Sequence, residues 1–587
     1  MEQISSREIR RKGYRSGTEI RLSPQTTVRI EAPDRSEQGD LGILKPQLFH
    51  LLHRLLLPAT TLFVLLCAIP ILSYPPGRDQ GTYLEIGQLL LRGKHLYAQL
   101  WDNKPPGIFV TYAVIAKLFG KVMWSVALVD ILLLLAISYL LFRFAEPYLG
   151  RGGAVVAVMI HAVWHSAMKY YWIAQPETFQ VLCVLLAYFL LIPRPSFRKT
   201  RWFVMGLAFG FGFWQKYNFA AFLPLLLFLP FMEPAALDER PPRLAFIISQ
   251  RRWLTGAALA LAGFLLTVVI TMSWILHSGG WPMMRESQFE VLPHYARMAT
   301  EQPHYWLMSV TRTYFALGPL TVFATLAALI IGWLTRDLKR LLPIFLAAMA
   351  ALASTVMQVR FHSYYFQLCQ PFFAVLWAYL AVRSYEAVRA LARILRGQNR
   401  KLAAALVWIL FANVAFWPLP QQSTAMIMRY EQLAQWRSNQ KNSYANYPEQ
   451  LSIELLQGQL DVIDYIGRAT KPDDSIYLWG SNSLIYFLAD REPPTRFILN
   501  LGVMSKWGKP SWKQEIVEAI KAAQPRLIIV AKHDALPTIT YEDKDSYEYL
   551  RTSFPALEEY IVTNYKPSVE LRDFVIYEKK ERTAQRF

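Results

Sequence analysis

The stretch SYPPGRDQGTYLEIGQLLLRGKHLYAQLWDNKPPG, Ser73–Gly107, decides how this chain is read. It follows an apolar run, yet it holds two acids, Asp79 and Asp102, each near a cation (Arg78, Lys104) and near glycine or proline that breaks regular backbone. Charged groups are costly inside hydrocarbon, so acids at the end of a membrane span mark the boundary where a carboxylate reaches both water and lipid headgroups.

Outward from that stretch, apolar runs recur from Leu51 to Pro420 in a chain of 587 residues, 53% hydrophobic and 18% charged. A helix needs about 20 apolar residues to cross a bilayer. Reading by length gives eleven crossings, at 54–73, 122–145, 152–168, 177–193, 202–215, 218–232, 253–276, 313–334, 341–357, 364–382 and 402–419. The expected fold class is a polytopic α-helical membrane protein with a C-terminal soluble α/β domain. The net charge of +19 gathers in short loops such as RPSFRKTR (194–201), ERPPRLAFIISQRR (239–252), RDLKR (336–340) and 383–401, which the positive-inside rule assigns to the cytoplasm. Membrane orientation, and no nucleic acid, therefore accounts for the basic balance.

That assignment places the first loop and everything after Pro420 on the outer face of the cell inner (plasma) membrane. PPGIFVTYAVIAKLFG (105–120) has about 14 helical residues and reaches about 21 Å, too short to cross, so it is expected as an interfacial helix. TYLEIGQLLLRG (82–93), with Tyr83, Ile86 and Leu90 on one face, is expected as a second helix on the membrane surface. Residues 1–50 read as a disordered basic cytoplasmic tail without a removable signal peptide, 51–420 as the transmembrane domain and 421–587 as an extracytoplasmic domain. In the last, SIYLWG (475–480), PRLIIVA (525–531) and DFVIYEKK (573–580) are strand-like and SWKQEIVEAIKAA (511–523) helix-like.

Cys67, Cys183 and Cys369 all fall within apolar segments, which leaves no thiol chemistry in the loops. There is no GxxxxGK[ST] phosphate loop and no clustered metal-ligand pattern. Asp79 either serves as a base on a lipid-linked substrate or caps the helix that follows it. Asp102 and Lys104 either order the loop around a head group or form an exposed ion pair. Lys169, Lys216 and Arg360 stand on the face that should be poor in positive charge, so each pairs with an anion, such as a lipid phosphate, or snorkels to the interface. His362, Tyr364 and Tyr365 follow Arg360 at the mouth of a span, and Glu177 starts another span on the same face.

Taken in order, GRDQGTYLEIGQLLLRGKHLYAQLWDNKPPG, the QPE that starts a later span and RFHSYY near the last spans resemble the integral-membrane GT-C glycosyltransferases. The pattern is that shared by dolichyl-phosphate-mannose protein mannosyltransferases and the lipid A aminoarabinose transferase, and it covers roughly residues 50–420. The resemblance implies a polyprenyl-phosphate sugar as donor, an extracytoplasmic acceptor (glycolipid, polysaccharide or protein) and a single inverting displacement with Asp79 as catalytic base. It implies Lys216, Arg360 and His362 around the donor phosphate, and Asp102, Lys104, Glu177, Lys169, Tyr364 and Tyr365 around the sugar or acceptor. Some relatives use a divalent metal ion and others none. Gln80 stands here where members with a first-loop DE pair carry a second acid, which weakens the implication of a metal. PDDSIYLWGSNSLIYFLADREPPTRF (472–497) resembles the outer domain of bacterial members. Two readings compete: a flippase or exporter of lipid-linked saccharides, and a noncatalytic glycan-binding assembly partner. A transporter would place its polar groups near the midplane within paired repeats, whereas here they gather at one face.

Overall fold

A computed structural model describes residues 46–191, 199–228, 243–394, 402, 405, 418–445 and 456–580. The chain forms two compact units, Met1–Leu55 and Leu56–Phe587. The tail expected over 1–50 falls outside the described residues up to 45, as does most of the span expected at 402–419.

The protein is a multi-pass membrane protein. Four described stretches are long and apolar enough to cross a bilayer, Leu55–Ser73, Ser125–Ser166, Leu254–His277 and Leu338–Val356, and a fifth is added if Tyr305–Leu317 and Thr321–Leu334, bent by 76°, are one span. Helix α1 (Pro46–Ala68) runs into a 3-10 turn at Ile69–Ser73, where Pro70 cannot continue α-helical bonding. Pro75, Pro76 and Gly77 then separate it from α2 (Arg78–Leu91). Helix α3 spans Pro106–Phe119, with proline in its first turn.

Helix α4 (Ser125–Ser166) is two helices joined across Gly150, whose φ of 68° is open to glycine. His165 touches Asp130, 35 positions earlier, although a straight helix would separate them by about 52 Å. The halves therefore double back, as the separate runs 122–145 and 152–168 required. Helix α5 (Pro176–Leu191) has 16 residues. Helix α6 (Lys199–Gln215) packs along α8 (Arg243–His277), separated from it by a 3-10 turn at Tyr217–Phe222 and α7 (Leu223–Phe228). Small residues make that seam: Gly206 lies on the Ala260 backbone, Gly210 on Thr267 and Gly263 on the Phe203 carbonyl, each without room for a β-carbon.

Helix α2 differs from the one-sided surface helix read from its sequence. Gln80 through Leu89 are all buried. On one side Gly87 meets the backbone of Tyr112 and Ala113 in α3, and on another Gly81 meets Leu484 of the short helix Leu484–Ala489. A one-face apolar pattern does not register contacts made through glycine. Helix α3 does keep an apolar exposed stripe, Val110, Val114 and Leu118, spaced one turn apart.

Beyond residue 455 a four-stranded mixed sheet is ordered β1-β2-β4-β3, with β1 (Ile476–Trp479) parallel to β2 (Leu527–Ala531) and β4 (Phe574–Lys579) antiparallel to both β2 and β3 (Tyr565–Leu571). Strand β2 is buried throughout, which matches its unbroken apolar run LIIVA. Three strands and the helix Ser511–Ala523 lie where the sequence placed them. Strand β3 was not anticipated, because Pro567 argues against a strand; it lies at the sheet edge beside a register shift at Pro567/Val569, where proline is tolerated.

Candidate active site

Asp79 occupies the first turn of α2, where its charge complements the helix dipole. Gly77 forms the N-cap pressed against Tyr171, whose Cβ would lie 2.6 Å from any β-carbon there. The Asp79 side chain is 21% exposed, and its nearest ion contact is Arg78 Nε at 3.9 Å. Among the described residues nothing donates a hydrogen bond to its carboxylate. Burial favours its neutral form, but Lys104, Arg78, Lys216 and His362 together outweigh burial and hold the carboxyl below its ordinary value. Gln80, next along the helix, turns away and donates from Nε2 to the Ile173 carbonyl at 2.9 Å.

Lys104 comes to the same place through a tight corner. Its backbone N–H donates to Asp102 Oδ1 at 2.9 Å, and its carbonyl accepts from the Tyr97 hydroxyl at 2.7 Å. Its ammonium lies 4.0 Å from Asp102 Oδ1 and 5.2 Å from the centre of the Tyr83 ring. Burial opposes the charged ammonium, yet Asp102 and Asp79 overcome this and raise its pKa. Asp102 is itself pushed up by burial, against the pull of Lys104. Gly107, at the start of α3, lies against the Trp214 carbonyl and so brings this corner to the end of α6.

Immediately after α6 the helix breaks at Lys216, whose backbone is extended (φ −164°, ψ 135°). Gln180 Nε2 secures the break by donating to the carbonyls of Gly212 and Lys216 and to Asn218 Oδ1. The freed Lys216 side chain, 18% exposed, places Nζ 2.7 Å from Glu177 Oε1 and 3.7 Å from the centre of the Tyr365 ring, with Tyr364 at 5.7 Å. Glu177 is fully buried at the N-terminus of α5, and its Oε2 has no hydrogen-bond partner among the described residues. Burial and the Lys104 charge lower the Lys216 pKa, with Glu177 and Asp79 opposing them.

His362 stacks on Tyr364 and meets Tyr365 edge-on, with centroids 5.9 and 5.3 Å away. Burial, then Lys216 and Arg360, push its pKa down to about 4, so the ring is neutral at pH 7. Asp79, Asp102, Lys104, Glu177, Lys216, His362, Tyr364 and Tyr365 thus form one cluster. Arg360 faces elsewhere: it donates to the carbonyls of Tyr295 (3.0 Å) and Thr538 (3.2 Å) and lies between the Tyr295 and Tyr541 rings. Lys169 is exposed, its ammonium 5.8 Å from the Tyr171 ring centre. Among the described residues no three His, Cys, Asp or Glu side chains converge to hold a metal ion.

Several buried polar residues around the cluster were not singled out from sequence. Tyr83 donates to Gln175 Oε1 at 3.4 Å, and Thr178 to Gln367 Oε1 at 2.9 Å, while Gln367 Nε2 reaches the Trp172 carbonyl. Arg429 donates to the carbonyls of Ser166, Ala167 and Met168, which close the C-terminal end of α4. Asp130 and His165 pair inside α4 at 2.7 Å. Asp130 had a readable signal, an acid within the apolar run SVALVDILLLLA.

Residues 103–277 match the dolichyl-phosphate-mannose-protein mannosyltransferase family. The resemblance is to GT-C membrane glycosyltransferases. The matched stretch covers less than half of the chain, begins after Asp79 and Asp102, and contains Lys104, Lys169, Glu177 and Lys216. No curated protein matches the sequence. Among solved structures, ArnT from Cupriavidus metallidurans bound to undecaprenyl phosphate is similar at 14% identity and a TM-score of 0.47, over 89% of this chain and 97% of that one. The oligosaccharyltransferase of Archaeoglobus fulgidus in its apo form is similar at 13% identity and a TM-score of 0.49, over 90% of this chain and 75% of that one. The oligosaccharyltransferase AglB from the same organism, in complex with an inhibitory peptide and a dolichol-phosphate, gives 13% identity and a TM-score of 0.47, over 82% and 69%.

Proposed function

We propose that this protein is a glycosyltransferase that moves a sugar from a polyprenyl-phosphate donor to an acceptor hydroxyl on the outer face of the membrane, with eleven crossings and residues 421–587 outside. The observation that carries this reading is the Asp79 carboxylate, partly open, accepting no hydrogen bond among the described residues, and encircled by Lys104, Arg78, Lys216 and His362. The family matched by residues 103–277 supports the donor class.

In the reaction the acceptor oxygen attacks the anomeric carbon as the bond from that carbon to the phosphate oxygen breaks. Its electron pair leaves with the phosphate, and the acceptor proton passes to Asp79. One displacement inverts the anomeric centre. A carboxylate held below its ordinary pKa is a weak base, so Asp79 acts by accepting the proton as the new bond forms. Lys104 and Lys216 stabilise the charge that grows on the departing phosphate, an effect largest where water is excluded. Asp102 and Glu177 hold those two ammoniums in place, and Tyr364 and Tyr365 with neutral His362 line the sugar. Arg360 joins the helix Leu292–Thr300, which carries Tyr295, to the C-terminal region and adds positive field, and exposed Lys169 meets lipid headgroups.

The test is Asp79→Asn in membranes supplied with a labelled polyprenyl-phosphate sugar. Transfer should fall by at least about 10²-fold at equal expression. Transfer at the unaltered rate removes the proposed base; label that crosses liposomes without joining an acceptor makes the protein a flippase; glycan binding without donor consumption makes it an assembly partner.

A further inference from the structure

We infer that Asp130, together with His165, is a positioning residue for this site. It fixes the backbone turn 173–177 that delivers Gln175 to Tyr83 on α2, the helix of Asp79, and Glu177 to the Lys216 side chain. The inference rests on the transferase reading only for its activity readout.

Asp130 is fully buried in the first half of α4, and both of its oxygens are engaged. Oδ2 lies 2.7 Å from His165 Nε2, which joins the two halves of the hairpin. Oδ1 reaches out of the hairpin and accepts the Ala174 N–H at 2.7 Å. Ala174 has a φ of 45°, a left-handed conformation that a residue with a β-carbon resists, so something must hold it there. Neutral bonds add to the hold: Tyr112 donates to the Ala174 carbonyl at 3.0 Å, and Gln80 to that of Ile173. Among the described residues Asp130 is the one side chain that accepts a backbone N–H of this turn, and removing a buried acceptor leaves its donor unpaired.

The consequence lies one and three residues on. Gln175 accepts from Tyr83 on α2, and Glu177 holds the Lys216 ammonium. If Asp130 served only to close the hairpin with His165, nothing would require its second oxygen to lie on Ala174. The turn, α2 and the break at Lys216 instead share one buried anchor.

The experiment compares Asp130→Ala, Asp130→Asn and the wild-type full chain in detergent or nanodiscs, by hydrogen exchange followed by mass spectrometry and by donor consumption. Asn keeps a carbonyl oxygen for Ala174; Ala keeps nothing. For Asp130→Ala we expect exchange in a peptide over 173–177 to rise at least about tenfold while β2 stays protected, and kcat to fall at least about tenfold. Asp130→Asn should stay within about threefold of wild type on both measures. Wild-type exchange in Asp130→Ala, a kcat loss without faster exchange, or an Asn variant as impaired as the Ala variant overturns the inference. If Asp130→Ala does not accumulate, Asp130→Ser, too short to reach Ala174, replaces it with the same expectations. Asp79→Asn runs alongside: if it keeps its activity the transferase reading fails, while the exchange result still decides the role of Asp130.

Discussion

Two charged regions border α2, and they are built on opposite plans. At the end near Lys121, Asp490 accepts from Gln88 at 3.1 Å and is paired with both Arg92 and Lys121, while Glu492 takes Lys94 at 3.0 Å. At the Asp79 end, among the described residues, the Asp79 carboxylate accepts no hydrogen bond, Glu177 leaves one oxygen without a partner, and the Lys104 ammonium rests on a ring and a carboxylate 4.0 Å away. Ion pairs that satisfy one another at a surface clamp parts together and contribute little more. Charges gathered from four segments and left incompletely paired are poised for something that arrives, as preorganised sites are. The contrast separates a clamp from a site without reference to any relative.

That contrast breaks most visibly if Asp79→Asn, with its expected loss of at least about 10²-fold in transfer, also lowers the thermal midpoint, for then Asp79 would be structural. Lys216→Met should cost about 10²–10³-fold in kcat, the scale seen when one charge-stabilising group is removed. It also leaves Glu177 buried without its cation, a loss of about 3–5 kcal/mol in stability. Lys216→Met with Glu177→Gln should therefore recover the thermal midpoint and not the turnover, a split measured by thermal shift and donor consumption.

The pH dependence sharpens the same comparison. Because the Asp79 pKa lies below its ordinary 3.8, the carboxylate stays ionised until the pH falls below that range. The stability it contributes is present above the unfolded pKa and lost only as pH drops through the folded one. The acid limb of kcat/KM should accordingly lie no higher than about pH 4, where His362 takes up its proton, and a limb above that would place Asp79 outside its ring of cations.

A smaller effect is expected at Glu85, which lies buried on α2 between the two regions with Arg92, Lys121, Asp490 and Glu492 around it. Burial, the leading cause, pushes its pKa from 4.5 up to about 8. The unfolded chain releases this proton first, so stability declines as pH climbs from 4.5 towards 8. Glu85→Gln should flatten that decline in a pH series of thermal midpoints and leave turnover in place. Least of all, Asp490→Asn should lower the midpoint by about 1–2 °C, since its pairs are substantially exposed, with kcat unchanged.

Much of the candidate cluster was readable because its members sit in local signals. Asp79 follows PPGR, Lys104 stands in DNKPPG, and Lys216 interrupts an apolar run, each at a place where regular backbone must break. The roles within the cluster were less readable. Arg360 is adjacent in sequence to the His362, Tyr364 and Tyr365 group, yet its guanidinium bonds to Thr538, 178 positions away, and no local pattern encodes that partner. The burial of α2 depends on Leu484 for the same reason. The turn at Ala174 was invisible because a left-handed alanine has no compositional mark; only the buried acid at Asp130, 44 positions earlier, hinted at it.

The glycines on α2 carry a consequence for anyone who would divide this chain. Gly81 admits Leu484, and the neighbouring Thr82 and Ser483 hydroxyls lie 2.8 Å apart in a buried seam. Shortening the protein at residue 420, or exchanging the part beyond it for that of a distant cousin, would strip one wall from the helix that carries Asp79. Chimeras of this chain will need to transplant both sides of this junction together.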